Sequence, residues 1–143
     1  MARMSLRRLL EGDQVVVAPG VYDAWSAKLV EDAGFPAVYM SGMAVTGSYL
    51  GAPDLGLLTM TEMVGRAATI AKAVDIPVIA DADNGYGGPL NVMRTVQDYE
   101  AAGVAAIHIE DQVLPKRCLS SSTNPWAPSS IMSRTRSNPC PKP

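Results

Sequence analysis

Two aspartates, Asp81 and Asp83, end the apolar run in the stretch "IPVIADADNGYGG", residues 76–88. Alternate residues of a strand face the same side, so both carboxylates are expected to point together. Like charges this close repel each other unless a positive group lies between them. Two interpretations follow. The carboxylates are solvated groups at a strand end, one of them capping the next helix, or they bind a divalent cation such as Mg²⁺, which prefers carboxylate and water oxygens.

Polar side chains also close two other apolar runs of the sequence. The three polar clusters are Tyr39, Ser41 and Gly42, then Asp81 and Asp83, then His108, Glu110 and Asp111. If the runs are parallel strands, their carboxyl ends meet at one edge of the sheet, where the active sites of α/β barrels are built. A glycine-rich loop between the runs adds one more carboxylate. Four side chains could then converge as oxygen ligands of Mg²⁺, partly through water: Asp54, Asp81, Asp83 and Glu110.

The elements that must position these side chains alternate regularly along the chain. Apolar runs predict four strands, near residues 14–18, 37–41, 77–82 and 105–110. Helical spacing predicts four helices, in "MSLRRLLEG", "YDAWSAKLVEDAG", "TMTEMVGRAATIAKAVD" and "PLNVMRTVQDYEAAG". The segment "MAVTGSYLGAPDLG" is predicted to be a loop of small residues. Strand–helix alternation with short connections indicates a parallel sheet built from βαβ units.

Two of the predicted helices carry clear start signals. Thr59 or Thr61 can cap the third helix, and Glu62 is the capping-box partner of Thr59. Pro89 suits the first position of the fourth helix. Both an open doubly wound sheet and a (β/α)8 barrel fit this order of elements. The sequence has neither a G-x-G-x-x-G nor a Walker fingerprint for nucleotides, and the polar strand ends favour the barrel.

Composition and length place the chain among ordinary globular proteins. It has 143 residues, of which 48% are hydrophobic and 18% charged, enough for one domain with a real core. Its two cysteines are far apart in the sequence and form no CxxC pair, which is typical of a reducing compartment. No signal-peptide pattern or apolar run long enough to span a bilayer is visible. We therefore expect a cytoplasmic protein with neither a membrane nor a nucleic-acid partner.

The chain changes character close to Cys118. Residues 1–111 contain 7 basic and 14 acidic residues, whereas residues 112–143 contain 5 basic and no acidic residues. Residues 118–143 include 7 Ser and 5 Pro, a composition that disfavours helices and central strands. We therefore predict a folded domain over residues 1–118, followed by an irregular Ser/Pro-rich tail over residues 119–143 that is disordered or out of frame.

Several segments together resemble the isocitrate lyase/phosphoenolpyruvate mutase superfamily. They are "VVVAPGVYDAWSAKLVEDAGF", "VYMSG", "GAPDLG", "ADADNGYG" and "HIEDQVLPKRC". The likeness is greatest to the branch that holds 2-methylisocitrate lyase, 2,3-dimethylmalate lyase, oxaloacetate decarboxylase and carboxyvinyl-carboxyphosphonate phosphorylmutase. It covers roughly residues 5–118. The resemblance implies a (β/α)8 TIM barrel, usually in a homotetramer that exchanges its last helix between neighbours.

The resemblance also implies roles for individual residues. Asp83 is similar to the direct Mg²⁺ ligand of the family, where Mn²⁺ can replace Mg²⁺. The side chains that resemble holders of the metal's waters are Asp54, Asp81 and Glu110. The family segment that binds the 2-oxo acid part of the substrate is resembled by the segment containing Tyr39, Ser41 and Gly42. The start of the family's mobile K-[KR]-C-G-H catalytic loop is matched by Lys116, Arg117 and Cys118, and in the lyases this cysteine donates a proton.

The function implied by the resemblance is retro-aldol cleavage of a 2-hydroxy di- or tricarboxylic acid. Oxaloacetate decarboxylation and phosphorylmutase chemistry are the alternatives, although Cys118 argues against a mutase. Taken without the resemblance, Cys118 is equally well an idle thiol, and Lys116 reads as a solvated loop charge. His108, as a lone strand histidine, is more typical of a hydrogen-bonded core residue.

The sequence departs from the family pattern directly after Cys118. The family has Gly-His there and then four more strand–helix units, whereas this chain has Leu119 and Ser120 and then the tail. A complete barrel takes about 250 residues. We therefore expect the N-terminal half of a TIM barrel, truncated by a frameshift or ending in a natural tail. Such a chain is expected to be inactive alone and to self-associate through its open sheet edges; a non-catalytic half-barrel is the alternative function.

Overall fold

The computed structural model describes residues 5–112 of the chain, and the structural statements below concern that part. Its elements are α1 (Leu6–Leu10), β1 (Gly20–Val21), α2 (Ala24–Asp32), β2 (Val38–Met40), α3 (Gly42–Leu50), α4 (Met60–Ala73), β3 (Val78–Asp81), α5 (Pro89–Ala101) and β4 (Ala106–His108). Strands and helices alternate as predicted. The fold is therefore of the α/β class.

The four strands form one parallel sheet in the order β1-β2-β3-β4. Each strand lies beside the next one along the chain, whereas a doubly wound sheet reverses its strand order at a switch point. Tyr39 aligns with Ile79, and Asp81 aligns with His108. This order is that of consecutive units in a (β/α)8 barrel, as predicted.

One face of the sheet is packed against the helices and forms the core. The strand residues on this face include Val21, Val38, Met40, Val78 and Ala80, all at most 2% exposed. They pack with apolar residues of α2 and α4, such as Ala27, Ala67 and Ile70. Burial of this apolar surface is the main stabilising contribution to the fold.

The opposite face of the sheet carries alternate residues of the same strands. Tyr39, Ile79 and His108 lie on it and are only partly buried or exposed in the described part of the chain. Asp81 shares this face and is 7% exposed. In a complete barrel this face is the interior, so the residues predicted to do chemistry lie on the barrel side of the sheet.

Helix boundaries follow the signals visible in the sequence. The Thr59 N–H donates to Glu62 Oε2 at 2.7 Å, and the Glu62 N–H donates to Thr59 Oγ1 at 3.4 Å, which confirms the capping box. Pro89 occupies the first turn of α5. The prediction of strands near residues 37–41, 77–82 and 105–110 is also confirmed, each within two residues at either end.

The first predicted strand, residues 14–18, is wrong. Strand β1 comprises Gly20–Val21, and Val15 is 91% exposed. The hydrogen bonds to β2 begin further along, because Tyr39 donates its N–H to the Pro19 carbonyl at 3.0 Å and Ser41 donates to the Val21 carbonyl at 3.1 Å. Strand β1 therefore lies where the chain pairs with β2, with Gly20 aligned to Tyr39 and Val21 to Met40.

The prediction of a loop over residues 43–56 is also wrong in its first half, where the chain forms α3. Two glycines, Gly42 at the first position and Gly47 in the interior, lower the helix propensity of this segment. The helix is nevertheless closed at both ends: the Ser41 hydroxyl accepts from the Ala44 N–H at 3.3 Å, and Gly51 adopts a left-handed φ of 61° at the C-cap. Both residue types are visible in the sequence as cap signals.

Asp23 caps α2, and its removal is expected to destabilise the fold in a pH-dependent way. The carboxylate accepts from the Ser26 N–H at 2.7 Å, and this hydrogen bond holds the pKa of Asp23 below its usual 3.8. A carboxylate whose pKa is lower in the folded than in the unfolded state stabilises the fold at pH values above the unfolded-state pKa. This stabilisation is lost as the pH falls through the folded-state pKa. We expect Asp23→Ala to lower the free energy of unfolding by about 1 kcal/mol at pH 7.

Urea denaturation of the wild type, Asp23→Ala and Asp23→Asn measures this effect. Asparagine keeps a capping oxygen without the charge, so its difference from the wild type should shrink as pH falls below 3.8. A difference between wild type and Asp23→Asn that stays constant through the acid range would contradict the assignment.

Three predictions fall outside the described residues: the tail over residues 119–143 and the catalytic roles of Lys116 and Cys118. Among residues 5–112, none of the helices has the length and apolar character that crossing a membrane requires.

Candidate metal and substrate site

Asp81 joins the ends of two neighbouring strands. Its Oδ2 accepts from the Gly42 N–H at 3.1 Å, and its Oδ1 accepts from the Asp83 N–H at 2.9 Å. Gly42 begins α3, so the carboxylate lies at the positive end of that helix. A Cβ on Gly42 would come within 2.6 Å of Asp81 Oδ2, so only glycine allows this approach without a shift. Backbone donors thus fix the Asp81 side chain in place.

Asp83 lies two residues beyond and begins a turn with a left-handed backbone. Its φ is 50°, a conformation that Asp and Asn adopt more readily than most residues. The Asp83 carbonyl accepts from the Glu110 N–H at 2.7 Å, which ties the end of β3 to the segment after β4. Asp83 Oδ1 and Glu110 Oε2 are both buried side-chain oxygens. The acidic clusters after β3 and β4 therefore share one edge of the sheet.

Three of the four predicted metal-site carboxylates line one small cavity of about 10 Å³. They are Asp54, Asp81 and Asp83, and Gly42, Thr46 and Tyr86 also line it. Glu110 is not among its lining residues, although its backbone contacts Asp83. A cavity of this size accommodates a single water-sized particle. The structure therefore brings three distant parts of the sequence to one point.

The chemistry of these donors fits Mg²⁺. The cavity offers carboxylate oxygens from three aspartates, the hard ligands that this ion prefers. Among residues 5–112, no group of three or more His, Cys, Asp or Glu side chains is arranged to bind one ion directly. Mg²⁺ is commonly held by one or two carboxylates and keeps several waters. The described residues therefore form no all-protein cage, and one or two of the aspartates are the available direct ligands.

Tyr39 and His108 form a second cluster on the barrel side of the sheet. The Tyr39 hydroxyl lies 3.1 Å from His108 Nδ1, and the two ring centroids are 6.4 Å apart. The residues come from β2 and β4, so their side chains meet across β3. His108 is hydrogen-bonded, as expected of a strand histidine, but it is exposed rather than buried in the described part of the chain. Its alternation with Glu110 in the sequence indicated this facing.

Ser41 and Gly42, the other predicted substrate residues, lie at the start of α3. Their observed bonds are internal, from the Ala44 N–H to the Ser41 hydroxyl and from the Gly42 N–H to Asp81. The predicted metal and substrate residues therefore meet through the Gly42–Asp81 contact.

Two tyrosines beside the site, the buried Tyr99 and the partly buried Tyr86, were not anticipated from the sequence. The Tyr99 hydroxyl donates to the Asp81 carbonyl at 2.9 Å, and the Tyr86 hydroxyl lies 3.1 Å from that of Tyr99. Burial raises the pKa of Tyr99 to about 12 and raises that of Tyr86 well above its usual value. Both phenols therefore stay protonated at neutral pH. Tyr99 lies on the buried face of α5, where a tyrosine is ordinarily interpreted as a packing residue, so the sequence gives little signal for such a role.

Comparison with protein families matches residues 6–133 to the model of phosphoenolpyruvate phosphomutase. The chain belongs to the phosphoenolpyruvate phosphomutase family. It is 58% identical over 113 residues to the 2,3-dimethylmalate lyase of Eubacterium barkeri, covering 79% of this chain and 39% of the relative. It is 54% identical over 113 residues to the 2-methylisocitrate lyase of Aeropyrum pernix, covering 79% and 36%.

Solved structures of similar proteins agree with the fold. A 2,3-dimethylmalate lyase, described as a PEP mutase/isocitrate lyase superfamily member, superposes with a TM-score of 0.73 at 51% identity over 78% of this chain and 39% of that one. Phosphonopyruvate hydrolase in complex with oxalate and Mg²⁺ gives 0.75 at 38% identity, covering 80% and 41%. Oxaloacetate acetylhydrolase with its product oxalate gives 0.77 at 47% identity, covering 82% and 42%.

These comparisons confirm the resemblance seen in the sequence and the half-barrel fold. They also show that the chain spans about two fifths of the length of the relatives that it matches.

Proposed function

We propose that this chain carries the metal-binding half of the active site of an Mg²⁺-dependent carbon–carbon lyase. The substrate class would be 2-hydroxy di- or tricarboxylic acids, cleaved by a retro-aldol reaction. The single observation that carries the proposal is the convergence of Asp54, Asp81 and Asp83 on one cavity at the carboxyl ends of the strands. High identity to a 2,3-dimethylmalate lyase and a 2-methylisocitrate lyase supports the reaction class.

In this proposal Asp83 would hold Mg²⁺ directly. The side chains that would orient its waters are Asp54, Asp81 and Glu110, and Mn²⁺ could take the place of Mg²⁺. When bound, the ion supplies positive charge where the substrate's carboxylate and oxygen become more negative. The backbone bonds to both Asp81 oxygens keep that carboxylate rigid, so it needs little reorganisation on binding.

The 2-oxo acid part of the substrate would lie beside Tyr39, Ser41 and Gly42. The start of α3 favours an anion there, because the partial positive charge of a helix lies at its N-terminus. Tyr39 can orient a substrate oxygen, since His108 holds its hydroxyl across β3 at 3.1 Å. Gly42 contributes by its small size, which lets the Asp81 carboxylate approach the backbone.

Lys116 and Cys118 stay predicted catalytic residues, on the strength of the resemblance. Cys118 would protonate the leaving carbanion as a general acid. Its presence argues against a mutase, in which this cysteine is not used. The cytoplasmic location likewise stays a prediction.

We expect the 143-residue chain to bind Mg²⁺ but to show no turnover by itself. A catalytic site must hold its groups close to the productive geometry, and the relatives are about two and a half times as long as the matched part of this chain. The test supplies Mg²⁺ with 2,3-dimethylmalate, 2-methylisocitrate or oxaloacetate and follows the formation of pyruvate. In parallel, calorimetry measures the binding of Mg²⁺ and then of oxalate.

The outcomes of this test separate the alternatives. Mg²⁺-dependent oxalate binding without turnover supports the proposal, whereas failure to bind either probe indicates a non-catalytic half-barrel. Formation of pyruvate from oxaloacetate alone indicates a decarboxylase. Turnover of any substrate that disappears in Asp83→Ala would show that association of two copies rebuilds a complete site.

Self-association of the chain is part of the same proposal. Among the described residues, β1 and β4 each have a neighbouring strand on one side only. Unpaired strand edges offer backbone groups to another chain. Size-exclusion chromatography with light scattering should give masses above the 15.1 kDa of one chain. A strictly monomeric chain at micromolar concentration would contradict this expectation.

A further inference from the structure

One buried face of α5 holds the turn that carries Asp83. Thr95 and Tyr99 lie four residues apart on this helix and are both 0% exposed. The Thr95 hydroxyl donates to the Gly85 carbonyl at 3.0 Å and also lies 3.2 Å from the sulfur of Met60. The Tyr99 hydroxyl donates to the Asp81 carbonyl at 2.9 Å. The helix therefore holds the backbone on both sides of Asp83 by hydrogen bonds.

The turn held in this way has an unusual backbone. Asp83, Gly85 and Tyr86 have φ values of 50°, 82° and 60°. Left-handed conformations are unfavourable for residues with a side chain, most of all for a bulky one such as Tyr86. They persist only where the surrounding structure imposes them, and they cluster at ligand sites. The turn therefore needs external contacts to keep its shape.

Tyr86 adds a third contact to the same arrangement. Each phenol carries one hydrogen, and that of Tyr99 goes to the Asp81 carbonyl, so Tyr86 is the donor in the 3.1 Å bond between the two hydroxyls. The Tyr86 N–H also donates to Asn84 Oδ1 at 3.1 Å within the turn. A chain of two bonds thus runs from Tyr86 through Tyr99 to the backbone of Asp81.

We propose that Thr95, Tyr99 and Tyr86 are positioning residues that hold the Asp83 carboxylate in the geometry that binds Mg²⁺. This inference rests on the proposed function for the identity of the ion. The stabilisation of the turn by α5 does not depend on the identity of the ion, because it can be measured without any metal. Thr95 and Tyr99 need not touch the ion or the substrate, whereas Tyr86 also lines the cavity.

The first experiment measures amide hydrogen exchange by NMR in Tyr99→Phe and Thr95→Val, which remove a hydroxyl and keep the shape. The turn amides to follow are those of Asp83, Gly85 and Tyr86. Loss of one buried hydrogen bond should speed their exchange by about five- to tenfold. The amides of Val38 and Ser41, which bond within the sheet, should keep their rates.

Matched controls remove a tyrosine hydroxyl and a threonine hydroxyl at positions away from the turn. Tyr22 is 42% exposed, and the Thr69 hydroxyl donates to the Gly65 carbonyl of its own helix. Tyr22→Phe and Thr69→Val should leave all five reporter amides unchanged. The milder variant Tyr86→Phe removes the outer hydroxyl alone, and it should speed the turn amides less than Tyr99→Phe does.

The second experiment titrates each variant with Mg²⁺ in a calorimeter. Loss of positioning groups around a metal ligand should weaken Mg²⁺ binding by about 10- to 100-fold in the double variant Thr95→Val/Tyr99→Phe. Unchanged turn amides, or equal acceleration across the sheet, would overturn the proposal. Faster turn exchange with unchanged Mg²⁺ affinity would overturn its link to the metal. If the wild type binds no Mg²⁺ but the turn amides still exchange faster in the variants, the proposed function is contradicted. The hydrogen bonds from α5 would then still be shown to hold the turn.

Discussion

Replacing Asp83 with asparagine is expected to weaken Mg²⁺ binding by more than about 100-fold while leaving the fold intact. Changes around metal ligands typically cost 10- to 100-fold in affinity, and loss of a direct ligand's charge should cost more. Asparagine has nearly the same volume and also tolerates the left-handed φ of 50° found at this position. The change therefore removes the charge alone. Calorimetric titration with Mg²⁺ measures the affinity, and urea denaturation measures the stability.

Asp32→Asn is the matched control for this substitution. Asp32 is an exposed aspartate at the end of α2, far in sequence from the acidic clusters. Its replacement should leave the Mg²⁺ affinity within a factor of two, roughly the spread expected for a surface charge. Should Asp83→Asn bind Mg²⁺ nearly as well as the wild type, Asp83 is not the direct ligand.

Replacing Gly42 with alanine is expected to lower the free energy of unfolding, although alanine is the better helix former. The added Cβ would lie 2.6 Å from Asp81 Oδ2 and 3.1 Å from its Cγ. Asp81 is a short side chain held by two backbone donors, so it can yield only by breaking those bonds. Overpacking of this kind costs about 1–3 kcal/mol. The same shift should weaken Mg²⁺ binding, because it displaces a carboxylate of the site.

Gly47→Ala provides the control within the same helix. Gly47 lies in α3 and is exposed, and a Cβ added to it would meet no atom within 4 Å. Here the substitution should raise the free energy of unfolding by up to about 1 kcal/mol through helix propensity. Denaturation curves of the two variants are to be compared directly. Equal effects of both substitutions would show that the close approach of Gly42 to Asp81 is unimportant.

Much of the fold was predictable because local signals agree with one another. The capping box of Thr59 and Glu62 and the proline at the start of α5 both appear as expected. The parallel sheet follows from the alternation of apolar strands with amphipathic helices. The two errors, at β1 and α3, occur where tertiary contacts and caps override local propensity: the valines of residues 15–17 favour a strand that does not form, and the glycines of α3 disfavour a helix that does. There the register with β2 and the caps Ser41 and Gly51 decide the outcome.

The sequence by itself determined which residues could do chemistry and which edge of the sheet would carry them. Acidic residues at consecutive strand ends had to share one edge, since parallel strands all point the same way. Only the tertiary structure decided how those residues are held. Asp81 bonds to Gly42, 39 residues away, Tyr39 meets His108 across β3, and α5 grips the turn around Asp83. Such contacts depend on distances between elements packed in three dimensions, which no local pattern of residues encodes.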